Sequence, residues 1–196
     1  MRRVVLWVLP LVAACAVPAP PGPPTSVRTV AVLPPSNRTG DGLLVSGTSL
    51  LEKYAFRTDR VTVPDVLGAQ LRRELARRGL GVVPGAAVDA ATGGRAPGSP
   101  EAAADVARHA RLADPVLFVA IDRWEPDAPT HPAFVVVALD AALVDPTSGA
   151  VLWRTHRNAS PVPTPGSVTL AVAYETAAEK VAAELLDGWP AREPPA

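Results

Sequence analysis

The sequence predicts a single α/β domain, in which a mixed sheet of about five strands carries about three helices, in two or three layers. Three observations lead to this prediction. Short apolar runs, typical of strands buried on both faces, alternate with segments whose apolar residues recur at three- and four-residue spacing, as in helices. Their order is strand, helix, strand, helix, three strands and helix. The length of 196 residues fits one domain with some unstructured chain.

The first half of the domain begins with a buried strand over residues 30–33, which two prolines end. Turn residues then predict a long exposed loop over 36–60. A helix follows, with Thr62 as its N-cap and Gly79 at its left-handed end, because leucines and valines form one apolar stripe between them. Residues 80–83 complete this half as a short strand.

The middle of the domain opens with a glycine-rich segment, 92–98, that lacks the Lys-Ser/Thr ending of a phosphate-binding loop. We interpret it as a flexible connection. Ser99 as N-cap and Pro100 at the first helical position predict a second helix. A buried strand is predicted over 116–121, ahead of a proline-rich break.

The last part of the domain contains the longest strand candidate, 133–145, and a hairpin turn at Ser148-Gly149. In the returning strand, alternation places Trp153 in the core beside Val151. Arg154 and His156 then share the other face. A final helix has an apolar stripe from Leu170 to Leu185 and ends at Gly188.

Composition limits the partners. Lysine plus arginine equals aspartate plus glutamate at 19 each, so the chain has no net charge. It shows no basic stripe of the kind that neutralises phosphates, and we do not expect nucleic acid as a partner. The 23 prolines gather at the ends and in loops, which indicates tethers and stiff connections.

The N-terminus has the pattern of an export signal. Arg2 and Arg3 precede an apolar run over residues 4–14, which is shorter than the roughly 20 helical residues that span a bilayer. The letters VAAC resemble a bacterial lipobox, whose cysteine is lipidated and becomes the mature N-terminus. We therefore predict a signal peptide over 1–14 and acyl chains on Cys15. The alternative is an incidental cysteine in an ordinary cleaved signal.

The remaining boundaries follow from this anchor. Residues 15–26 are predicted as the lipidated cysteine and a Pro-rich tether, 27–188 as the α/β domain and 189–196 as a disordered tail. Ala16 stands where an Asp would favour retention at the inner membrane. We therefore expect a protein held at the outer membrane by its lipid, facing the periplasm.

Four stretches resemble the small periplasmic α/β domains of the curli-secretion lipoprotein CsgG, the amino-terminal domain of TolB and the penicillin-binding-protein activator LpoB. They are TVAVLPPSNRTG, LRRELARRGLGVVPG, RLADPVLFVAIDRW and LDAALVDPTSGAVLWR. The resemblance covers residues 27–187 and implies the same order of elements and a periplasmic accessory role. The segment DGLLVSGTSLLEKYAFRTD lacks sustained alternation, so we do not expect a CsgG-like pore.

Residues with catalytic chemistry are few. The three histidines have no metal-ligand spacing, and the serines lie outside any nucleophile-elbow motif. Cys15 lies between an export signal and a tether, where nothing would activate a catalytic thiol. We predict no enzyme activity, no metal and no cofactor.

The candidate contact residues are therefore partner-binding ones. In the long loop they are Leu50, Tyr54 and Phe56, and at the end of the 116–121 strand they are Asp122 and Trp124. The alternative for Trp124 is that it covers the end of the core.

The predicted function is a non-catalytic, lipid-anchored accessory protein that binds or helps assemble an envelope complex, in secretion or cell-wall synthesis. The alternatives are an auxiliary lipoprotein of an ABC-type transporter, a self-assembling ring and an envelope hydrolase. A homo-oligomer is a further expectation.

Overall fold

A computed structural model describes residues 24–45 and 61–189. The predictions for the signal peptide, for lipidated Cys15 and for Leu50, Tyr54 and Phe56 lie outside these residues. Most of the tether lies outside them too, and so does the predicted tail beyond Trp189.

One open, six-stranded mixed sheet forms the centre of the domain. The order across the sheet is β3-β1-β4-β5-β6, and the short β2 also pairs with β4. The β1–β3, β1–β4 and β2–β4 pairs are parallel, whereas β4–β5 and β5–β6 are antiparallel. The strands are β1 (Thr29–Val32), β2 (Ser36–Asn37), β3 (Gly81–Val82), β4 (Val116–Pro126), β5 (Phe134–Val144) and β6 (Val151–Pro163).

Helices cover both faces of the sheet, so the domain has three layers. The described helices are α1 (Val63–Arg77), α2 (Gly85–Thr92), α3 (Pro100–His109) and α4 (Leu170–Leu185). On the first face, α1 and α4 close a core of valines, leucines and two tryptophans from the sheet. On the second face, α2 and α3 pack through Val88 and three alanines, whose small side chains bring α3 close to β4 and β5. The α/β class is confirmed.

The helix starts follow the predicted caps. The Asp65 carboxylate accepts hydrogen bonds from the Thr62 backbone N–H at 2.8 Å and from the Thr62 hydroxyl at 2.6 Å. The Ser99 hydroxyl accepts from the Ala102 N–H at 3.2 Å. Gly79 takes the left-handed conformation expected just past the end of α1, with φ at 76°.

Two elements depart from the prediction. The α2 helix was not predicted from the sequence, and in the structure it has one buried valine, Val88, and no side-chain cap. The two-residue β2 lies at the start of the predicted long loop, where its pairing with Ala120 and Ile121 of β4 forms it. Both elements depend on neighbours distant in sequence, which local patterns do not report.

The β4 strand continues five residues beyond its predicted end at Ile121. A register shift between Ile121 and Arg123 leaves Asp122 as the extra residue of a β-bulge. The bulge restores Trp124 to the first face, where it is 2% exposed and packs edge-on against Tyr174 at 6.2 Å between centroids. The expected exposed aromatic at this strand end is therefore wrong, and Trp124 closes the end of the core.

Candidate functional site

The most open feature of the sheet is β6, its last strand. All 13 residues of β6 lie along β5, from the pair Phe134 and Pro163 to the pair Val144 and Val151. No described strand pairs with the other side of β6. The opposite edge strand, β3, has two residues. Since an edge strand presents unpaired backbone N–H and C=O groups, β6 is the long template that this sheet offers to another chain.

A groove of about 340 Å³ runs beside this edge. Its walls are residues 155–158 and Ser160 of β6, and Glu184 and Leu185 of α4. Arg157 fixes the two walls together, because its Nε donates to the Glu184 carboxylate at 3.1 Å and its Nη1 donates to the Ser160 carbonyl at 3.1 Å. The Arg157 Nη1 also donates to the Val137 carbonyl. A buried guanidinium with these acceptors makes the groove a rigid surface.

Two bulges shape β6. The first has Leu152 as the extra residue, and it separates Val151 from Trp153. Val151 is consequently 41% exposed and Leu152 37% exposed, which corrects the prediction that Val151 lies beside Trp153 in the core. Trp153 itself is buried, as predicted. The second bulge follows Arg157, where neither Asn158 nor Ala159 has a register partner on β5.

A polar network occupies the half of the second face that α3 leaves open. Arg38, just after β2, places its Nη1 3.3 Å from the Asp122 carboxylate and 3.5 Å from the Asp140 carboxylate. Its Nη2 donates to the Gly98 carbonyl at 2.6 Å. Asp140 also contacts His156, with 2.7 Å between Oδ1 and Nδ1. Four elements of the fold thus contribute to one set of charges.

His156 connects this network to the groove, since it also forms part of the groove wall. Its hydrogen bond with Asp140 outweighs the cost of burial and raises the pKa of His156 above the usual 6.5, and a hydrogen bond with Asn158 adds a smaller contribution. The Asn158 side-chain oxygen lies 3.0 Å from Nε2. Both ring nitrogens face oxygen atoms, an environment that favours the protonated ring.

The predicted site residues fall into three groups. Asp122 belongs to the polar network, and its role in binding stays a prediction. Trp124 is buried, and the three loop residues lie outside the described ranges. Arg154 and His156 do share one face, as predicted, because they pair with Ala142 and Asp140 of β5.

Arg38 and Asp140 were not predicted as site residues. Arg38 lies 84 residues from Asp122, and only the β2–β4 pairing brings the two together. Asp140 did carry a signal, as the single charged residue in the apolar run of β5. Asp140 is half-exposed, and its carboxylate contacts both Arg38 and His156.

Two further findings concern the described part of the chain alone. In residues 24–45 and 61–189, no group of three or more His, Cys, Asp or Glu side chains is arranged to hold a metal ion. In the same ranges, no helix has the length and apolar character needed to cross a membrane.

These features define a three-layer α/β/α domain with one long open sheet edge. No protein-family model matches the chain, and no curated protein matches it. Among solved structures, the PelC dodecamer from Paraburkholderia phytofirmans matches with 18% identity and a TM-score of 0.52, covering 89% of this chain and 97% of that chain. At this identity the match shows a shared fold.

Two other solved structures match less well. Lipoprotein GNA1162 from Neisseria meningitidis has 16% identity and a TM-score of 0.46, over 82% of this chain and 99% of that chain. Protein XCC0632 from Xanthomonas campestris has 18% identity and a TM-score of 0.47, over 87% and 91%. The resemblance to CsgG, TolB and LpoB is not confirmed by these matches.

Proposed function

We propose that this protein is a non-catalytic, lipid-anchored component of the cell envelope that assembles with copies of itself through the free edge of β6. The assembled form then serves a larger envelope complex. The observation that carries the proposal is the 13-residue edge strand, which is rigid, bordered by a groove and unpaired along one side in the described chain.

The anchor is supported by sequence alone. A positive end, a short apolar run and small residues precede Cys15 in the order that lipidation requires. Acyl chains there would hold the domain at the membrane, with the outer membrane favoured by Ala16. A tether of ten residues in polyproline form reaches about 30 Å, which leaves the domain free to meet its neighbours.

The charges of β6 favour one kind of assembly. Arg154, His156 and Arg157 are all basic, and β6 contains no acidic residue. Antiparallel pairing of β6 with β6 of a second copy would place these like charges near one another, which is unfavourable. A contact between two different surfaces avoids this, and such contacts close into rings. The fold shared with PelC, whose structure is a dodecamer, supports this form of assembly.

The test is the mass of the full chain in detergent, measured by light scattering. We expect an assembly for the wild type. Leu152→Lys places a charge on the edge, and Ala159→Pro places a ring where no β5 pairing is lost. Both should lower the mass. Val172→Lys is the matched control, since Val172 is equally exposed but lies on α4 outside the groove.

A wild-type chain that stays monomeric at every concentration would contradict self-assembly. Edge variants that assemble like the wild type would contradict the role of β6. Crosslinking in intact cells then identifies the larger complex, and links to a secretion, cell-wall or transporter component would name it.

A further inference from the structure

We propose that a small depression above Phe118 is a binding site for a carboxylate group. The depression, which we call the Phe118 pocket, has a volume of about 110 Å³ and opens on the uncovered half of the second face. It is separate from the groove beside β6, and the inference does not rest on self-assembly. Its lining includes Arg38, Pro100, Phe118, Asp140, Ala142 and Arg154.

The floor of the pocket is apolar and fixed. Phe118 is 1% exposed and belongs to the core that α3 covers, together with Ala142. Pro100 begins α3 and forms one side. This floor accepts a short hydrocarbon stem, since burial of apolar surface is favourable and no polar group of the floor loses water.

One wall of the pocket is an arginine that is already held in place. The Arg38 guanidinium lies 5.8 Å above the centre of the Phe118 ring. Its contacts with Asp122, Asp140 and the Gly98 carbonyl fix its orientation. Binding of a ligand therefore does not have to immobilise the Arg38 side chain, because folding has already done so.

The opposite wall is an arginine without an acceptor. Arg154 forms no ion pair and no hydrogen bond with any residue of the described ranges. The pKa of Glu101 is lowered first by a hydrogen bond from its own backbone N–H and then by one from Ser99. The charge of Arg154 also lowers this pKa, but it is the smallest of the causes. The planar fork of Arg154 is thus available to bind a carboxylate with two hydrogen bonds.

The acidic residues near the Phe118 pocket favour a carboxylate over a phosphate as its ligand. Asp140 itself lines the pocket and Asp122 contacts Arg38, so both carboxylates would repel a doubly charged phosphate more strongly than a singly charged carboxylate. A pocket of this volume also holds a carboxylate and a few carbons. The geometry therefore points to a monocarboxylate on a short apolar stem, either free or presented by a neighbouring copy of the chain.

Saturation-transfer NMR on the full chain in deuterated detergent tests this inference, with butyrate as the probe and butan-1-ol as its neutral match. We expect a saturable signal from butyrate, with a dissociation constant on the order of a millimolar, and a much weaker signal from butanol. Arg154→Gln should raise the dissociation constant about tenfold or more, because a charge-assisted hydrogen bond is lost. Arg154→Lys keeps the charge and should raise it by less. The control is Arg108→Gln, since Arg108 is also an exposed arginine but lies on α3. This variant should change the dissociation constant by less than about twofold.

Equal signals from butyrate and butanol would overturn the inference, and so would a change below about threefold in Arg154→Gln. Repeating the titration with Ala159→Pro separates the two sources of the carboxylate. Binding in both chains indicates a free ligand, whereas binding only in Ala159→Pro indicates a pocket filled by a neighbouring copy. Self-assembly is scored by mass in a separate measurement, so the two proposals fail independently.

Discussion

The two faces of the sheet are built from opposite chemistry. The first face is apolar along β4 and β5 and is closed by α1 and α4 over its length. The second face is apolar only under α2 and α3, and its other half holds Arg38, Asp122, Asp140 and His156 at the surface. The comparison indicates that stability comes mainly from the first face, while the open half of the second is free to bind.

The strongest test of this division is the truncation of a large side chain on the first face. Trp124→Ala removes a fully buried indole that contacts Tyr174, and such changes cost about 3–5 kcal/mol. We expect a loss of that size in the free energy of unfolding, measured by urea denaturation. Val172→Ala, an exposed position on α4, is the control and should change little. A loss below about 1 kcal/mol for Trp124→Ala would mean that the first face does not dominate.

The next largest effect is expected at Glu74, a buried acid of α1 on the first face. Glu74 on α1 is 7% exposed and accepts hydrogen bonds from Arg77 and from Arg78, the latter at 2.8 Å. Arg78 also donates to the Trp189 carbonyl at 2.9 Å, so this pair ties α1 to the end of α4. Glu74→Gln weakens both bonds to charged groups and should cost about 1.5–3 kcal/mol.

The pH dependence of the unfolding free energy tests whether ionised Glu74 stabilises the fold through its two arginines. Burial raises the pKa of Glu74, but the hydrogen bonds from Arg78 and Arg77 outweigh burial and hold it below the usual 4.5. A depressed carboxyl pKa stabilises the fold above the pKa of the unfolded chain, and this contribution is lost as the pH falls through the folded pKa. Unfolding experiments from pH 7 down to pH 3 should therefore show the wild-type advantage over Glu74→Gln shrinking. An advantage that is constant across this range would contradict it.

Features decided by neighbours in sequence were predicted better than features that depend on strand register. The α1 stripe and the caps Thr62, Gly79 and Ser99 are local, and each is confirmed because side chains a few residues apart decide it. The Asp122 bulge, by contrast, shifts alternation by one residue and returns Trp124 to the core, which a strict period of two does not anticipate. The polar network needs the register of β2, β4, β5 and β6 together, and sequence order does not contain that register. As the single charged residue in the apolar β5 strand, Asp140 indicated an ionic partner, but the sequence did not identify that partner.

The smallest effect is expected in the open polar half. Asp140→Asn removes the carboxylate that raises the pKa of His156, so this pKa should fall towards 6.5. An NMR titration of the ring protons measures it, with Asp127→Asn as the control. Asp127 accepts hydrogen bonds from the loop before β5 and has no contact with His156.

The free energy of unfolding should also depend on the titration of His156, and its change with pH should be opposite to the change that Glu74 causes. A histidine with a raised folded pKa stabilises the fold fully below its unfolded pKa, and this contribution disappears as the pH rises through the folded pKa. The difference in unfolding free energy between wild type and Asp140→Asn should therefore be larger at pH 6 than at pH 9. The difference that remains at high pH reports the contact of Asp140 with Arg38. A difference that grows with pH would show that Asp140 acts on the fold through some group other than His156, and the open half could then no longer be treated as one network centred on Asp140.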